Sequence, residues 1–206
     1  LFWCIDDKKV LASSLLACID KFSNQVEQFP PGHYSIVHHD PVQARVYPFH
    51  ITEVPPYLRI CKKQDALSMI RWSLETAVIK RLDSEREVCS LLSGGLDSSL
   101  VAAIASRYMR SHGKTLKTFS IGFEGSPDSV YAKIASDFIG SDHTMVILSE
   151  DTFLASIPET IAAIESYDVT TVRASVGNYL LCKYISEHTN CKVVLNGDYS
   201  DEVAGG

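Results

Sequence analysis

Between residues 1 and 52 the apolar positions come in short runs, at 1–5, 34–37 and 44–47, separated by turn material such as Pro30-Pro31-Gly32. Runs of that length bounded by Pro and Gly predict β-hairpin structure. Val54-Pro55-Pro56-Tyr57 then reads as a linker, because each proline restricts its predecessor and lacks a ladder donor. From Asp65 onward the texture changes. Leu67, Ile70, Leu74, Ala77, Val78 and Leu82 recur at helical spacing and predict an amphipathic helix over 65–81. There follow a strand over 88–92 that ends in glycines, an Ala-rich helix over 98–110 stopped by Gly113, and a strand over 116–122. A helix over 129–139 has Gly140 just past its end, and a strand over 143–148 leads to Ser149 as the cap of a helix over 152–165. A helix over 172–188 and a strand over 192–196 complete the series. Alternation of this kind predicts right-handed crossovers and an α/β fold with a doubly wound parallel sheet, whose ligands sit at the carboxyl ends of the strands. The expected division is a small β-rich part over 1–52 and an α/β domain over 53–206.

Charge changes the picture by exclusion. With 19 basic against 25 acidic residues the net charge is -6, and a nucleic-acid binder would need a basic stripe to neutralise phosphates. Lys8-Lys9, Lys62-Lys63 and Lys80-Arg81 are short and lie near acids, so they read as solvated faces. No run approaches the roughly 18 apolar residues of a membrane span. The six cysteines (Cys4, Cys18, Cys61, Cys89, Cys182, Cys191) form no C-x-x-C pair, which fits a reduced, cytoplasmic setting better than a disulfide framework. His38-His39 has no nearby Cys or paired carboxylates, so metal binding is not expected there. Leu1-Phe2-Trp3 at one end and Gly205-Gly206 at the other read as interior to a longer polypeptide.

The candidate chemistry centres on Leu91-Leu92-Ser93-Gly94-Gly95-Leu96-Asp97-Ser98-Ser99. A strand runs into two glycines and then directly into a helix. Glycines allow a tight turn and close approach to an oxyanion, and the helix start presents free N–H groups and a positive dipole end. The hydroxyls of Ser93, Ser98 and Ser99 add donors. Asp97 would repel a phosphate directly, so its place in the loop implies a hard cation such as Mg²⁺ between them. The loop is neither a Walker A sequence nor a G-x-G-x-x-G fingerprint.

The S-G-G-x-D-S pattern resembles the pyrophosphate-binding loop of the N-type ATP pyrophosphatases, which cleave ATP between its α and β phosphates. Three further segments resemble asparagine synthetases within that superfamily. Phe119-Ser120-Ile121-Gly122-Phe123, followed by Ser126-Pro127-Asp128, is similar to the strand and loop that flank adenine, with Ile121 at the base. Glu165-Ser166-Tyr167-Asp168-Val169-Thr170-Thr171-Val172-Arg173-Ala174-Ser175 matches the family's E-[TS]-Y-D-[VI]-T-T-[VI]-R-A-S segment. There Arg173 suits a bidentate grip on a carboxylate, and Thr170 and Thr171 supply donors at a helix start. Val193-Val194-Leu195-Asn196-Gly197-Asp198-Tyr199-Ser200-Asp201-Glu202 resembles the family's V-L-[SF]-S-G-E-G-S-D-E turn. By that match Asn196 and Gly197 would touch ATP, and Asp201 would join Asp97 in holding Mg²⁺. Asn196, Asp198 and Tyr199 replace the usual Ser, Glu and Gly. The Glu is associated with forming the acyl-adenylate, and Asp198 is shorter by one methylene.

The resemblance extends to the amino-terminal part. Residues 1–9 with Phe29-Pro30-Pro31-Gly32-His33-Tyr34 are similar to the end of the glutaminase domain that precedes the synthetase domain, and Cys4 is not the catalytic cysteine of that domain. The resemblance implies an adenine nucleotide alpha-hydrolase-like fold, ATP and aspartate as substrates, Mg²⁺ as cofactor and glutamine or ammonia as nitrogen donor. It also implies a homodimer in the full-length enzyme. The expected reaction activates the aspartate β-carboxylate as β-aspartyl-AMP and then amidates it. Two rival readings stay open: another amide-forming relative such as a β-lactam synthetase, which should lack the Y-D-x-T-T-x-R-A-S segment, and a non-catalytic nucleotide binder.

Overall fold

The computed structural model describes residues 1–5, 8–49, 62–198 and 200. The chain divides into two compact units, Leu1–Cys61 and Lys62–Gly206. The linker over 54–57 and the division expected at 52/53 lie outside the described residues, as do Tyr199, Asp201 and Glu202.

In the first unit, β1 (Phe2–Ile5) pairs antiparallel with β2 (Val10–Ser13) on one side and β3 (Glu27–Gln28) on the other, and β4 (His33–His39) forms a hairpin with β5 (Val42–Pro48). The aromatic residues of the short runs form cross-strand contacts. Trp3 meets Phe29 edge-on at 5.0 Å, and Tyr34 stacks on its register partner Tyr47 at 5.4 Å. β2 is not expected from sequence: its three apolar residues run into polar Ser13-Ser14 and carry no turn signal of their own.

The second unit is built on four parallel strands: β6 (Glu87–Leu91), β7 (Lys117–Gly122), β8 (Asp142–Ile147) and β9 (Cys191–Leu195), in the spatial order β8-β7-β6-β9. Residues alternate in face along each strand, and two separate cores result. Val88 and Leu195 turn to one face, where they meet Val78 of α1 (Lys63–Leu82), Ala102, Ile104 and Ala105 of α2 (Leu96–Ser111) and Ile139 of α3 (Pro127–Ile139). Cys89, Phe119 and Val146 turn to the other face and pack with Leu181 and Ile185 of α6 (Val169–His188). Helices on both faces of a parallel sheet make the unit doubly wound, in agreement with the strand–helix alternation in the sequence. No helix among the described residues is long and apolar enough to cross a membrane.

Two expectations are corrected. The helix expected over 152–165 is two helices, α4 (Glu150–Ala155) and α5 (Ile157–Ile164). Pro158 has no N–H to continue the first ladder and sits in the opening turn of the second, where a missing donor costs nothing. Ser149 does cap α4, its hydroxyl accepting from Thr152 N at 3.2 Å. The amphipathic face expected on α1 is buried only toward its end. Val78 is in the core with Leu74 and Leu82 against it, whereas Leu67 and Ile70 are exposed.

The turn from β6 into α2 is fixed by packing. Gly94 has φ +85°, and a Cβ built there would lie 2.5 Å from the Tyr131 carbonyl carbon and 2.6 Å from Ala132 N, both α3 backbone. Gly113, past the end of α2, has φ +69° with open space around it. The two glycines thus separate backbone strain from close approach. Gly113→Ala is expected to cost only the left-handed penalty, about 1–2 kcal/mol. Gly94→Ala adds overpacking and is expected to cost about 2–5 kcal/mol. Urea unfolding of the two variants checks this ordering.

On the α3 side of the sheet, His143 of β8 places Nδ1 2.9 Å from Thr118 Oγ1 and Nε2 3.0 Å from Ser120 Oγ, two buried hydroxyls of β7. Burial, and then the positive charge of Lys133, hold its pKa below the ordinary 6.5. The folded chain therefore binds fewer protons than the unfolded chain, and the stability present above pH 6.5 is lost as pH falls through the folded value. Comparing unfolding of the wild type and His143→Gln between pH 7.5 and 5 should show a steeper loss in the wild type.

Candidate nucleotide site

The four parallel strands end on the same edge, and two of the predicted motifs meet there. β6 and β9 are neighbours in the sheet, paired from Val88↔Val193 to Ser90↔Leu195. Ser90, fully buried, places its hydroxyl between the two ends, 3.2 Å from Leu91 O and 3.3 Å from Leu195 O. Beyond them the chain forms two loops in contact. A Cβ at Gly197 would lie 2.5 Å from Ser98 N and 2.7 Å from the Asp97 carbonyl carbon. Only a glycine lets the loop after β9 lie against the first turn of α2.

Together they line a cavity of about 410 Å³, walled by Leu91, Ser93, Gly95, Asp97, Ser98, Asn178, Asn196, Gly197, Asp198 and Ser200. That size is within the range of small-molecule sites. The glycine-rich loop is ordered by its own serines. Ser93 Oγ and Ser98 Oγ lie 2.8 Å apart, Ser98 Oγ lies 3.2 Å from Ser93 N as its acceptor, and Gly95 N donates to Ser93 Oγ at 3.3 Å. Gly95 is the N-cap of α2 and no side chain caps the helix. Its opening turn therefore faces the cavity with amide donors and the positive end of the dipole. Ser99 Oγ, one residue further, is buried without a hydrogen-bond partner among the described residues.

On the opposite wall Asn196 Nδ2 donates to Asp198 Oδ2 at 3.1 Å, and Ser200 Oγ donates to Gly197 O at 2.7 Å. Asp198 also lies close enough to α6 to act on Cys182, whose thiol is pushed up first by its withdrawal from solvent and then by this carboxylate. No lysine, arginine or histidine is among the described residues of the wall. Two carboxylates, hydroxyls and backbone amides accept a polyanion only in company with a cation. A hard divalent ion held by one or two carboxylates and mostly by phosphate oxygens fits that donor set. Asp97 is in the wall as the sequence expects; Asp201, the second expected ligand, lies outside the described residues. Asp198 supplies a second acid on the same cavity.

Several predicted residues are elsewhere. Gly94 lies behind the loop against α3, and Leu96 points to solvent at 80% exposure. The Ile121 side chain packs on the α6 face of the sheet, 3.8 Å from a Cβ built at Gly177. Thr170, Thr171 and Arg173 are on the first turns of α6 outside the cavity wall. Asp168 is the N-cap of that helix: Thr171 donates to its Oδ1 through N at 2.8 Å and through Oγ1 at 2.9 Å. These two bonds, the backbone one foremost, hold the Asp168 carboxyl below its usual range. Arg173 is exposed and has no ion pair among the described residues. The wall also contains Asn178 and Ser200, which sequence reasoning did not single out. The signal for Asn178 was available, since it follows Thr171 by seven residues and so shares its helix face.

Comparison with known proteins agrees with the motifs. Residues 69–206 match the family model described as Asparagine synthase. An asparagine synthetase [glutamine-hydrolyzing] of Gallus gallus is 40% identical over 198 residues, which cover 88% of this chain and 35% of that protein. The protein of the same description from Homo sapiens is 36% identical over the same shares. The chain thus spans about a third of the length of these curated relatives. Among solved structures, an NH3-dependent NAD synthetase of Campylobacter jejuni superposes with a TM-score of 0.44 at 16% identity, covering 66% of this chain and 58% of that one. With the family's S-G-G-L-D-S loop and the turn after β9 lining one cavity, and the family match running through both, the chain belongs to the asparagine synthase family.

Proposed function

We propose that this chain carries the ATP-binding, aspartate-activating part of a glutamine-hydrolysing asparagine synthetase. The observation that carries the reading is the meeting of the two loops at Gly197, which puts an uncapped helix start, a serine-braced glycine turn, Asp97 and Asp198 on one cavity. In this reading the triphosphate lies along residues 93–99. The aspartate β-carboxylate attacks the α-phosphorus, the bond to the β-phosphate breaks, and pyrophosphate leaves. Ammonia then displaces AMP from β-aspartyl-AMP to give asparagine. Amides of the first turn of α2 stabilise charge on the departing pyrophosphate, in a cradle already organised by Ser93 and Ser98. Mg²⁺ would be held by Asp97, with Asp201 as the proposed second ligand, and would supply charge neutralisation of the phosphates. Thr170 and Arg173 at the start of α6 are the proposed aspartate contacts; Thr171 anchors that start through Asp168.

A β-lactam-forming relative is disfavoured by the intact Tyr167-Asp168-Val169-Thr170-Thr171-Val172-Arg173-Ala174-Ser175 segment. Nucleotide binding without turnover keeps one specific support: Asp198 is shorter than the family's usual Glu and is held by Asn196. Asp97→Ala in the full-length polypeptide is expected to lower aspartate-dependent pyrophosphate release from MgATP about 100-fold or more. Release at the wild-type rate would remove Asp97 from its role. Nucleotide binding by the wild type with no aspartate-dependent release would favour the non-catalytic reading.

A further inference from the structure

Among the described side chains that line the cavity, one donor group makes no hydrogen bond at all. With no cationic side chain among the described residues of its wall, a phosphoryl oxygen entering it draws there on neutral donors and on the cation that accompanies it. Most of the neutral side-chain donors are committed. The hydroxyls of Ser93 and Ser98 engage each other, one N–H of the Asn196 amide is used on Asp198, and the Ser200 hydroxyl is spent on the Gly197 carbonyl. Asn178 is different. Its carboxamide lines the cavity, is exposed, and has no hydrogen bond to any described residue.

Its position is fixed by a rigid element. Asn178 lies in the middle of the 20-residue helix α6, between two buried residues, Val176 and Leu181, the second packed on the sheet. Cys182, one turn further along the same helix face, is near enough to Asp198 to respond to its charge. Asn178 therefore stands on the α6 wall, the side of the cavity opposite the glycine loop's own helix. A group held on a packed helix donates to a ligand without the ordering cost that a loop residue bears. An amide is also suited to this wall: it supplies N–H groups beside Asp198 without forming the ion pair that a lysine would form.

We propose that Asn178 is a ligand-contacting residue whose Nδ2 donates to a phosphoryl oxygen of the bound adenine nucleotide, an inference that rests on the nucleotide-activating reading above. It adds a third wall, from α6, to a site otherwise formed by the loops after β6 and β9.

Titration calorimetry of the full-length protein with MgATP tests it, on the wild type, Asn178→Ala and Asn178→Asp. Asn178→Ala is expected to weaken MgATP about 10- to 100-fold, the size of one hydrogen bond to a charged acceptor. Asn178→Asp is expected to weaken it further, because a third carboxylate then faces the phosphates. Both variants should unfold at the wild-type midpoint, since the side chain is exposed and unbonded. MgATP affinity in Asn178→Ala equal to that of the wild type overturns the assignment. So does Asn178→Asp binding as tightly as the wild type, which is what a contact to a ribose hydroxyl would give, because a carboxylate accepts from it equally well. If the wild type itself does not bind MgATP, the underlying reading fails with it; wild-type binding with an unaffected Asn178→Ala sinks this assignment alone.

Discussion

The contact of Gly197 with the backbone of Asp97 and Ser98 is the constraint on which the site depends. Two loops about a hundred residues apart in sequence touch main chain to main chain, at a distance that leaves no room for a Cβ. The contact is possible because β6 and β9 are adjacent in the sheet and because Ser90, buried under the loops, ties the two strand ends together. Without that adjacency each loop would be an isolated turn. With it, the amides of one and the carboxylate of the other converge on one space.

The sheet supplies this adjacency through the alternation of its side chains. Val88 and Cys89 are consecutive, yet each belongs to a different core, one under α1, α2 and α3 and the other under α6. Burying both faces fixes the register, since a slip by one residue would exchange the two sets. It also leaves the carboxyl edge of the strands as the place where backbone and polar side chains remain open. Buried Thr118 and Ser120 share hydrogen bonds with half-buried His143.

Much of this was legible in the sequence because the signals were local. Short apolar runs ending in glycine marked the strands, Gly140 and Ser149 marked helix ends, and the S-G-G-L-D-S-S run marked the loop. What was misjudged depended on tertiary packing. The periodicity of α1 is uniform from Leu67 to Leu82, yet among the described residues only its second half packs into a core, and no periodicity records where a partner stops. The break at Pro158 was visible as a residue but was outweighed by the apolar pattern around it. Within the site, the loop residues were recognisable by motif, whereas Asn178 lines the cavity through helix geometry alone. Thr171, expected among the donors at a helix start, directs its hydroxyl to the cap at Asp168.

The central physical claim is that the loops after β6 and β9 act as one binding surface. Amide hydrogen exchange of the full-length protein, followed across a series of MgATP concentrations, reads this directly. Exchange should slow at residues 93–98 and at 196–198 together, with one shared dependence on nucleotide concentration. Slowing confined to one segment, or two segments responding at separate concentrations, would contradict it.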